Sequence, residues 1–517
     1  MFDQNDLELI KTKGIELRKI EKQIKFFKEG FPSIHLIRPA TVNDGIIFLN
    51  NEERARYIRL YEESLKEYNI VKFVPASGAA SRMFKHLFEF MDKNSIQSPP
   101  QKESSLEHNS NSAYYLFSHL PDIAFYPILS EIIKKNGSRI KELILKNDYG
   151  AIAEYILTPK GLNYSNLPKA LIGFHRYPEE IRSPTEEHLV EAVNYANGHG
   201  NIARIHFTIS PEHQRIIEDL LSNVSQKYED RYKVKLEITL STQRSSTDTL
   251  AVDTFNNPFR DQSGRLLFRP GGHGALLENL NKIDADLIFI KNIDNVVPDR
   301  LKEQTFLYKK LIGGYLLHIQ RKIFTFLNDV DNHQITQNDI EEMKHFAREV
   351  LNIIFPEDIQ KKGIQDQIQF LVMQFNRPIR VCGMVKNEGE PGGGPFWVSG
   401  HKHQQTLQIV ESSQIDFTDD NQKMIFNSST HFNPVDLVCS IKDYKGNTFK
   451  LAQFVDDNTG LISLKSNDGK SLKAMELPGL WNGSMSNWVT VFIEVPIITF
   501  NPVKTVNDLL RKEHLST

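Results

Sequence analysis

Cysteine is nearly missing: Cys382 and Cys439 are the two in 517 residues. That is too few for a disulfide framework or a Cys-based zinc site, and it fits packed thiols in a reducing compartment. No apolar run approaches the roughly 18 residues of a membrane span. The opening MFDQNDLELIKTKG carries early acidic residues and no apolar h-region, so no secretory leader is expected and the cytoplasm is the expected location. A charge excess of one sign is lacking too, with 62 Lys and Arg against 65 Asp and Glu and a formal net charge of -3. Neither nucleic acid nor a membrane is therefore expected as a partner. The fixed nucleotide signatures G-x-x-x-x-G-K-[ST] and G-x-G-x-x-G do not occur, nor does an internal repeat or heptad run. What is left, 40% hydrophobic and 25% charged, is an ordinary globular composition. At this length one core is not expected to suffice, and two or three domains are the natural reading.

The richest stretch is FRPGGHGALLENLNKIDADLIFIKNIDNVVPD, residues 268–299. Its loop Pro270-Gly271-Gly272-His273-Gly274 has few bulky side chains, so a ligand could come close to the backbone before a helix begins at Ala275. Residues 287–290 form a short apolar run of strand length. Polar groups follow it, Lys291, Asn292, Asp294 and Asn295, where an open α/β sheet presents its ligands. Asp294 is the first candidate for a metal ligand.

Elsewhere, residues 1–30 and 52–68 read as helical. Residues 70–74 are a β-branched strand ending in Pro75-Ala76-Ser77-Gly78-Ala79-Ala80-Ser81-Arg82-Met83. Strand, small-residue loop and helix are the order a phosphate-binding turn requires, although a plain tight turn has the same order. Residues 95–112 read as a flexible insertion. α/β character returns at 167–172, then come a helix at 186–195 with Pro184 near its start, a strand at 203–209, a helix at 211–221 and a strand at 235–240. This alternation implies an α/β protein with a mostly parallel, Rossmann-like sheet covered by helices on both faces. Residues 301–375 are helical, with Gly313-Gly314 expected to interrupt them. Strands at 379–385, 396–398, 436–441 and 489–495 follow. The expected division is a helical arm (1–69), a nucleotide-binding core (70–300) with a helical insertion at about 86–165, a helical segment (301–375) and a sugar-side and C-terminal α/β region (376–517).

Several of these pieces occur in one family's order. Gly78-Ala79-Ala80-Ser81-Arg82-Met83 resembles the signature loop of sugar nucleotidyltransferases, Gly-x-Gly-(Thr/Ser)-Arg-(Met/Leu). Leu167-Pro168-Lys169 is similar to that family's next lysine motif. Gly272-His273-Gly274 and Asn292-Ile293-Asp294-Asn295 resemble the nucleotide loop and metal-carrying strand end of UDP-sugar pyrophosphorylases. Phe500-Asn501-Pro502-Val503-Lys504-Thr505-Val506-Asn507-Asp508-Leu509-Leu510 resembles the stretch of UDP-glucose pyrophosphorylases that delivers a phosphate-binding lysine. The chain is also similar to a bacterial family labelled only as a domain of unknown function.

The resemblance, which covers about half of the chain, implies a GT-A type fold and a nucleotidyltransferase. A sugar-1-phosphate would attack the α-phosphorus of a nucleoside triphosphate, UTP by preference, and pyrophosphate would leave. It implies Mg²⁺ on Asp294, with Arg82, Lys169 and Lys504 as the catalytic cations. Ser77, Gly78, Ala79, Ala80, Ser81, Gln243, Gly272, His273 and Gly274 would hold the nucleotide. Asn292, Asn295, Gly393 and Asn433 are the candidates for the sugar side. Ala80 departs from the pattern by replacing the second glycine, which would impair the loop if the position needs φ > 0 or close contact with phosphate.

Each candidate has a plainer reading. Asp294 could cap a turn, the lysines could be solvated, Arg82 could pair with a helix carboxylate and His273 could be a core histidine. Two other functions stay open: an inert nucleotide-sugar-binding protein, suggested by Ala80, and a glycosyltransferase, suggested by Asp284-Ala285-Asp286. The last motif precedes the strand at 287–290 and so should face the edge away from Asp294. His401 and His403, or His199, His206 and His213, lack acidic or Cys partners at zinc spacing. Which base, which sugar and which oligomeric state are not set by the sequence.

Overall fold

Strand direction organises the chain. In the computed structural model, which describes residues 2–95, 112–332, 335–389, 392–400 and 405–515, the main sheet has eleven strands. Its principal members are β1 (Gly45–Ile47), β2 (Ile70–Pro75), β3 (Ile202–Ile209), β4 (Lys235–Thr242), β5 (Leu287–Lys291), β6 (Ile379–Lys386), β7 (Asp436–Ser440) and β8 (Val489–Glu494). Across the sheet they run β1-β8-β6-β7-β5-β2-β3-β4. Every neighbouring pair in that order is parallel except those made by β7, which is antiparallel to both β5 and β6. The carboxyl ends of the other seven therefore share one edge, together with the start of β7. The expected α/β class with a mostly parallel sheet is what the chain forms.

The central strands β2 and β5 are buried on both faces, and their period of two divides the core. Ile70 and Val74 of β2 and Leu287 and Phe289 of β5 pack on the side of the helices α1 (Asn51–Ser64), α2 (Pro184–Tyr195) and α3 (Lys302–Asp331). Val71, Phe73, Ile288 and Ile290 pack on the other side with Leu276, Leu280 and Trp488. A third cluster belongs to the helical insertion. It joins Leu116, Phe125, Leu129 and Ile156 to Ala80, Met83 and Phe84 of the small-residue loop and to Val503, Val506 and Leu509.

Several expectations change. Gly313-Gly314 does not interrupt α3, which is continuous for 30 residues. A Cβ on Gly314 would lie 1.9 Å from the backbone oxygen of Tyr57, so glycine serves the close approach of α1 rather than a break. Residues 1–69 are not all helical, because β1 adds to the sheet beside β8 and Leu36–Pro39 pairs with Gly394–Ser399. Residues 167–172 form no strand but a 3-10 turn, Lys169–Leu171. The helix expected at 211–221 continues to Tyr232. Most of the insertion at 95–112, and His401 and His403, lie outside the described residues.

Candidate active site

Asp294 follows the carboxyl end of β5, and three separate stretches of chain converge there. Val503 N–H donates to the Asp294 carbonyl at 3.0 Å, Asn501 N–H donates to Asn295 Oδ1 at 2.9 Å, and Asn295 forms an antiparallel bridge with Pro502. This pairing brings Lys504 to the strand end, and its Nζ lies 3.0 Å from Asp294 Oδ2. Lys169 Nζ donates to the same oxygen at 3.0 Å and to the Val503 carbonyl at 2.8 Å. Lys169 is itself placed by the small-residue loop: Ala79 bridges Pro168, Lys169 N–H donates to the Gly78 carbonyl at 3.0 Å, and Ala80 N–H donates to the Leu167 carbonyl at 3.2 Å.

The electrostatics are unbalanced in a useful direction. Burial alone would raise the Asp294 carboxyl, but the Lys169 and Lys504 ammonium groups outweigh it and hold it below its ordinary value. Two cations thus face one carboxylate, leaving one positive charge in excess. Asp294 Oδ1 is buried and has no hydrogen-bond partner among the described residues. The lysines differ in access: the Lys504 side chain is 59% exposed and Lys169 is 12% exposed. Lys504 can therefore turn toward a ligand without unpacking anything.

Ala80 does not take a positive φ, and its methyl group is buried in the cluster of the helical insertion. The backbone at this position thus has no need of glycine. Gly78 is exposed, has an ordinary φ, and a Cβ there would meet nothing within 4 Å. Ser77, Ala79 and Ser81 are exposed beside it. Arg82 is exposed on the turn Ala80–Arg82 and is not among the cations bonded to Asp294.

The glycine loop has packing reasons of its own. A Cβ on Gly271 would lie 2.4 Å from the Thr247 carbonyl oxygen and one on Gly274 2.0 Å from that of Pro478, while Gly272 has φ +74 and faces Glu476. His273 Nδ1 accepts from Leu480 N–H at 3.0 Å, and the ring stacks on Trp481 at 4.2 Å. Burial pushes this imidazole down to about 4, so it is neutral at pH 7. The loop thus packs against Thr247 and residues 476–481. Gln243 is half-buried after β4 and lines an open cleft with Lys13, Arg244 and Glu278.

On the sugar side, Asn433 N–H donates to the Gly393 carbonyl at 2.8 Å, so these two candidates are neighbours. Asn433 Oδ1 accepts from Val435 N–H at 3.1 Å and holds Val435 at φ +54, a left-handed conformation that is costly for a β-branched residue. Lys291 of β5 pairs in register with Asp436 of β7, which puts this strained turn on the Asp294 edge. Asp436 itself is engaged by the buried Lys309. Asn292 is half-buried and its carbonyl accepts from His188 Nε2 at 3.2 Å.

A polar layer beneath the strand end escaped the sequence reading. Lys72 of β2 and Lys291 of β5 both donate to Glu191 of α2, at 2.8 Å each, and all three are fully buried. Burial lowers Lys72 to about 7 although Glu191 opposes the shift. The visible signal was a lysine inside each apolar strand, IVKFVP and LIFIK.

Asp284 and Asp286 precede β5 at the opposite edge, where both are bound by Lys442 and Asp286 also accepts from Asn69 N–H. His199, His206 and His213 bond to separate partners: the Lys66 carbonyl, the Thr239 and Ser241 hydroxyls, and the Asn166 carbonyl. Among the described residues no group of three or more His, Cys, Asp and Glu could hold a metal alone. Asp294 remains compatible with Mg²⁺, which takes one or two carboxylates and shares phosphate oxygens and water, and its unpartnered Oδ1 suits that role. No helix among the described residues is long and apolar enough to cross a membrane.

A search of curated proteins gives no match. Among solved structures, the chain is similar to UDP-glucose pyrophosphorylase from Leishmania major, with 11% identity and TM-score 0.43 over 98% of this chain and 78% of the other. It is also similar to the uridine diphosphate N-acetylglucosamine pyrophosphorylase from Trypanosoma brucei, with 11% identity and TM-score 0.47 over 95% of this chain and 74% of that one. A family model matches residues 3–515: the chain belongs to the family described as a domain of unknown function (DUF4301).

Proposed function

We propose that the chain is a nucleotidyltransferase that joins a nucleoside triphosphate, UTP by preference, to a sugar-1-phosphate. The observation that carries this reading is the meeting of Lys169 and Lys504 on one oxygen of Asp294 at the carboxyl edge of the sheet. A site with two ammonium groups and one carboxylate is short of negative charge, and phosphates supply it.

In the proposed reaction an oxygen of the sugar-1-phosphate forms a bond to the α-phosphorus. The bond from that phosphorus to the bridging oxygen of the β-phosphate breaks, and pyrophosphate leaves with the electron pair. No group of the protein needs to become covalently attached; alignment and charge neutralisation suffice. Mg²⁺ held by the Asp294 carboxylate would neutralise phosphate oxygens. Lys169, fixed by the Val503 carbonyl, keeps its ammonium at the strand end, while Lys504 has the freedom to follow the phosphate. Gly78 leaves the backbone of the small-residue loop open to an anion. The turn held by Gly393, Asn433 and Val435 is the proposed sugar side.

The test is pyrophosphate release from a panel of nucleoside triphosphates crossed with sugar-1-phosphates in Mg²⁺. Release that depends on both substrates and falls in Asp294→Asn supports the transferase. Binding without release across the panel would replace it by an inert nucleotide-sugar-binding protein. Sugar transfer from a nucleotide-sugar to an acceptor would replace it by a glycosyltransferase.

A further inference from the structure

A second cavity, of about 750 Å³, opens at the amino ends of β6 and β8. Because those strands run parallel to β5, this is the sheet edge away from Asp294. Its wall comes from residues far apart in sequence, including His35, Asn352, Arg377, Gln408, Asn458 and Trp488. This volume falls in the usual range for small-molecule sites.

The wall carries Lys22 and Arg377 against Asp456 and Asp457, a formal balance in which Arg377 stands outside the ion pairing. Asp457 is paired with Lys22 at 2.6 Å, and Asp456 accepts from Asn458 N–H at 3.0 Å. Arg377 enters no ion pair among the described residues: its Nε donates to the Gln374 carbonyl at 2.8 Å and one Nη reaches the Asn487 carbonyl at 3.5 Å. Burial lowers its guanidinium to about 10, the sign of a charge held without a counter-ion. A second observation lies on the same wall. Asn482 Oδ1, Ser486 Oγ and Trp488 Nε1 are buried without a hydrogen-bond partner, and all three residues line this cavity. Buried polar atoms are ordinarily satisfied, so three unsatisfied ones in residues of one wall are a departure, although the atoms themselves lie beneath the cavity surface.

We infer that this cavity is a second ligand site, for a small metabolite bearing a phosphate or carboxylate, with the oxyanion on Arg377 and Trp488 beside it. The planar guanidinium of Arg377, a residue of this wall, suits a two-oxygen anion. The competing account is that Arg377 only caps the end of the helix Ile364–Phe375 through the Gln374 carbonyl.

The indole of Trp488 is a local reporter, since the chain has three tryptophans, Trp397, Trp481 and Trp488. Their indole N–H resonances would be followed by NMR in the full chain while inorganic phosphate, or separately citrate, is added, with the Trp488 signal assigned by Trp488→Phe. The Lys504→Ala background removes an anion contact at the other edge. The Trp488 signal is expected to move saturably, while those of Trp397 and Trp481 stay in place. In Arg377→Gln the half-saturating concentration should rise about tenfold or more. Arg377→Lys, which keeps the charge at the helix end, is the variant to use should Arg377→Gln unfold, and it should weaken binding in the same direction because the two-oxygen contact is lost. A response to phosphate alone or to citrate alone supports the site and assigns its chemistry. No response to either, or equal responses in the wild type and the folded Arg377 variants, overturns it.

Discussion

Lys504 Nζ lies 3.0 Å from Asp294 Oδ2 across 210 positions of sequence, and Lys169 meets the same oxygen from the other side of the chain. One carboxylate oxygen thus collects cations from two distant segments. The two lysines differ in how much of the fold depends on them.

Lys504→Ala separates activity from stability. Its side chain is largely exposed, so the loss should change unfolding free energy by no more than about 1 kcal/mol. Pyrophosphate release should nevertheless fall by about 100-fold, the effect of removing one preorganised charge from a transition state. Chemical denaturation and turnover measured on the same preparation check both halves.

Lys169→Met should affect both quantities. The variant loses bonds to Asp294 and to the Val503 carbonyl and leaves the latter without its donor, a loss of about 1–3 kcal/mol. A double-mutant cycle with Asp294→Asn is expected to show coupling of about 1 kcal/mol or more between these contacting groups. Strict additivity in urea denaturation would show that the ion pair does not contribute.

Gly78→Ala and Ala80→Gly are expected to act in opposite senses. The first adds a methyl where φ is ordinary and no atom is near, so stability should hold or rise by about 0.5 kcal/mol while nucleotide affinity falls. The second restores the glycine of the family signature but removes a buried methyl, which should destabilise by about 1 kcal/mol without increasing activity. Thermal unfolding and nucleotide titration separate the two.

His273 sets a pH dependence. Its folded value is depressed to about 4, whereas the ordinary value is 6.5, so the unfolded chain takes up the proton first. Its contribution is complete above 6.5 and shrinks as the pH falls from there toward 4, by up to about 3 kcal/mol. Subtracting the curve for His273→Gln from that of the wild type isolates this term from the other buried histidines. A flat difference between pH 6.5 and 4 would disprove it.

How much was readable before the structure depends on whether a signal was local. The strands β2, β3, β4 and β5 announce themselves by short β-branched or apolar runs, and Asp294, Lys169 and Lys504 stand in motifs whose order implied a common site. β1 has three residues, too few for any periodicity to show. Gly313-Gly314 was read as a break because the reason for both glycines lies in Tyr57 and Tyr61 of another helix. Glu191 meets Lys72 and Lys291 at separations of 119 and 100 residues, and no local pattern encodes such a partnership. The glycine loop shows the converse limit. Its composition suggests room for a ligand, while its glycines also have a packing reason in the close approach of Thr247, Glu476 and Pro478.

The bonds that fasten the segment carrying Lys504 include Val503 N–H on the Asp294 carbonyl, Val506 N–H on the Met83 carbonyl and Asn507 Nδ2 on the Ser112 carbonyl, the last across 395 positions. On a ribosome these acceptors emerge long before their donors. Until residues 503–507 are made, Asp294 lacks Lys504, and the side of the helical insertion that receives Val503, Val506 and Leu509 is bare apolar surface. Assembly of this corner therefore waits on residues 503–507 and is of high contact order, and until they are made the nascent chain carries that surface uncovered.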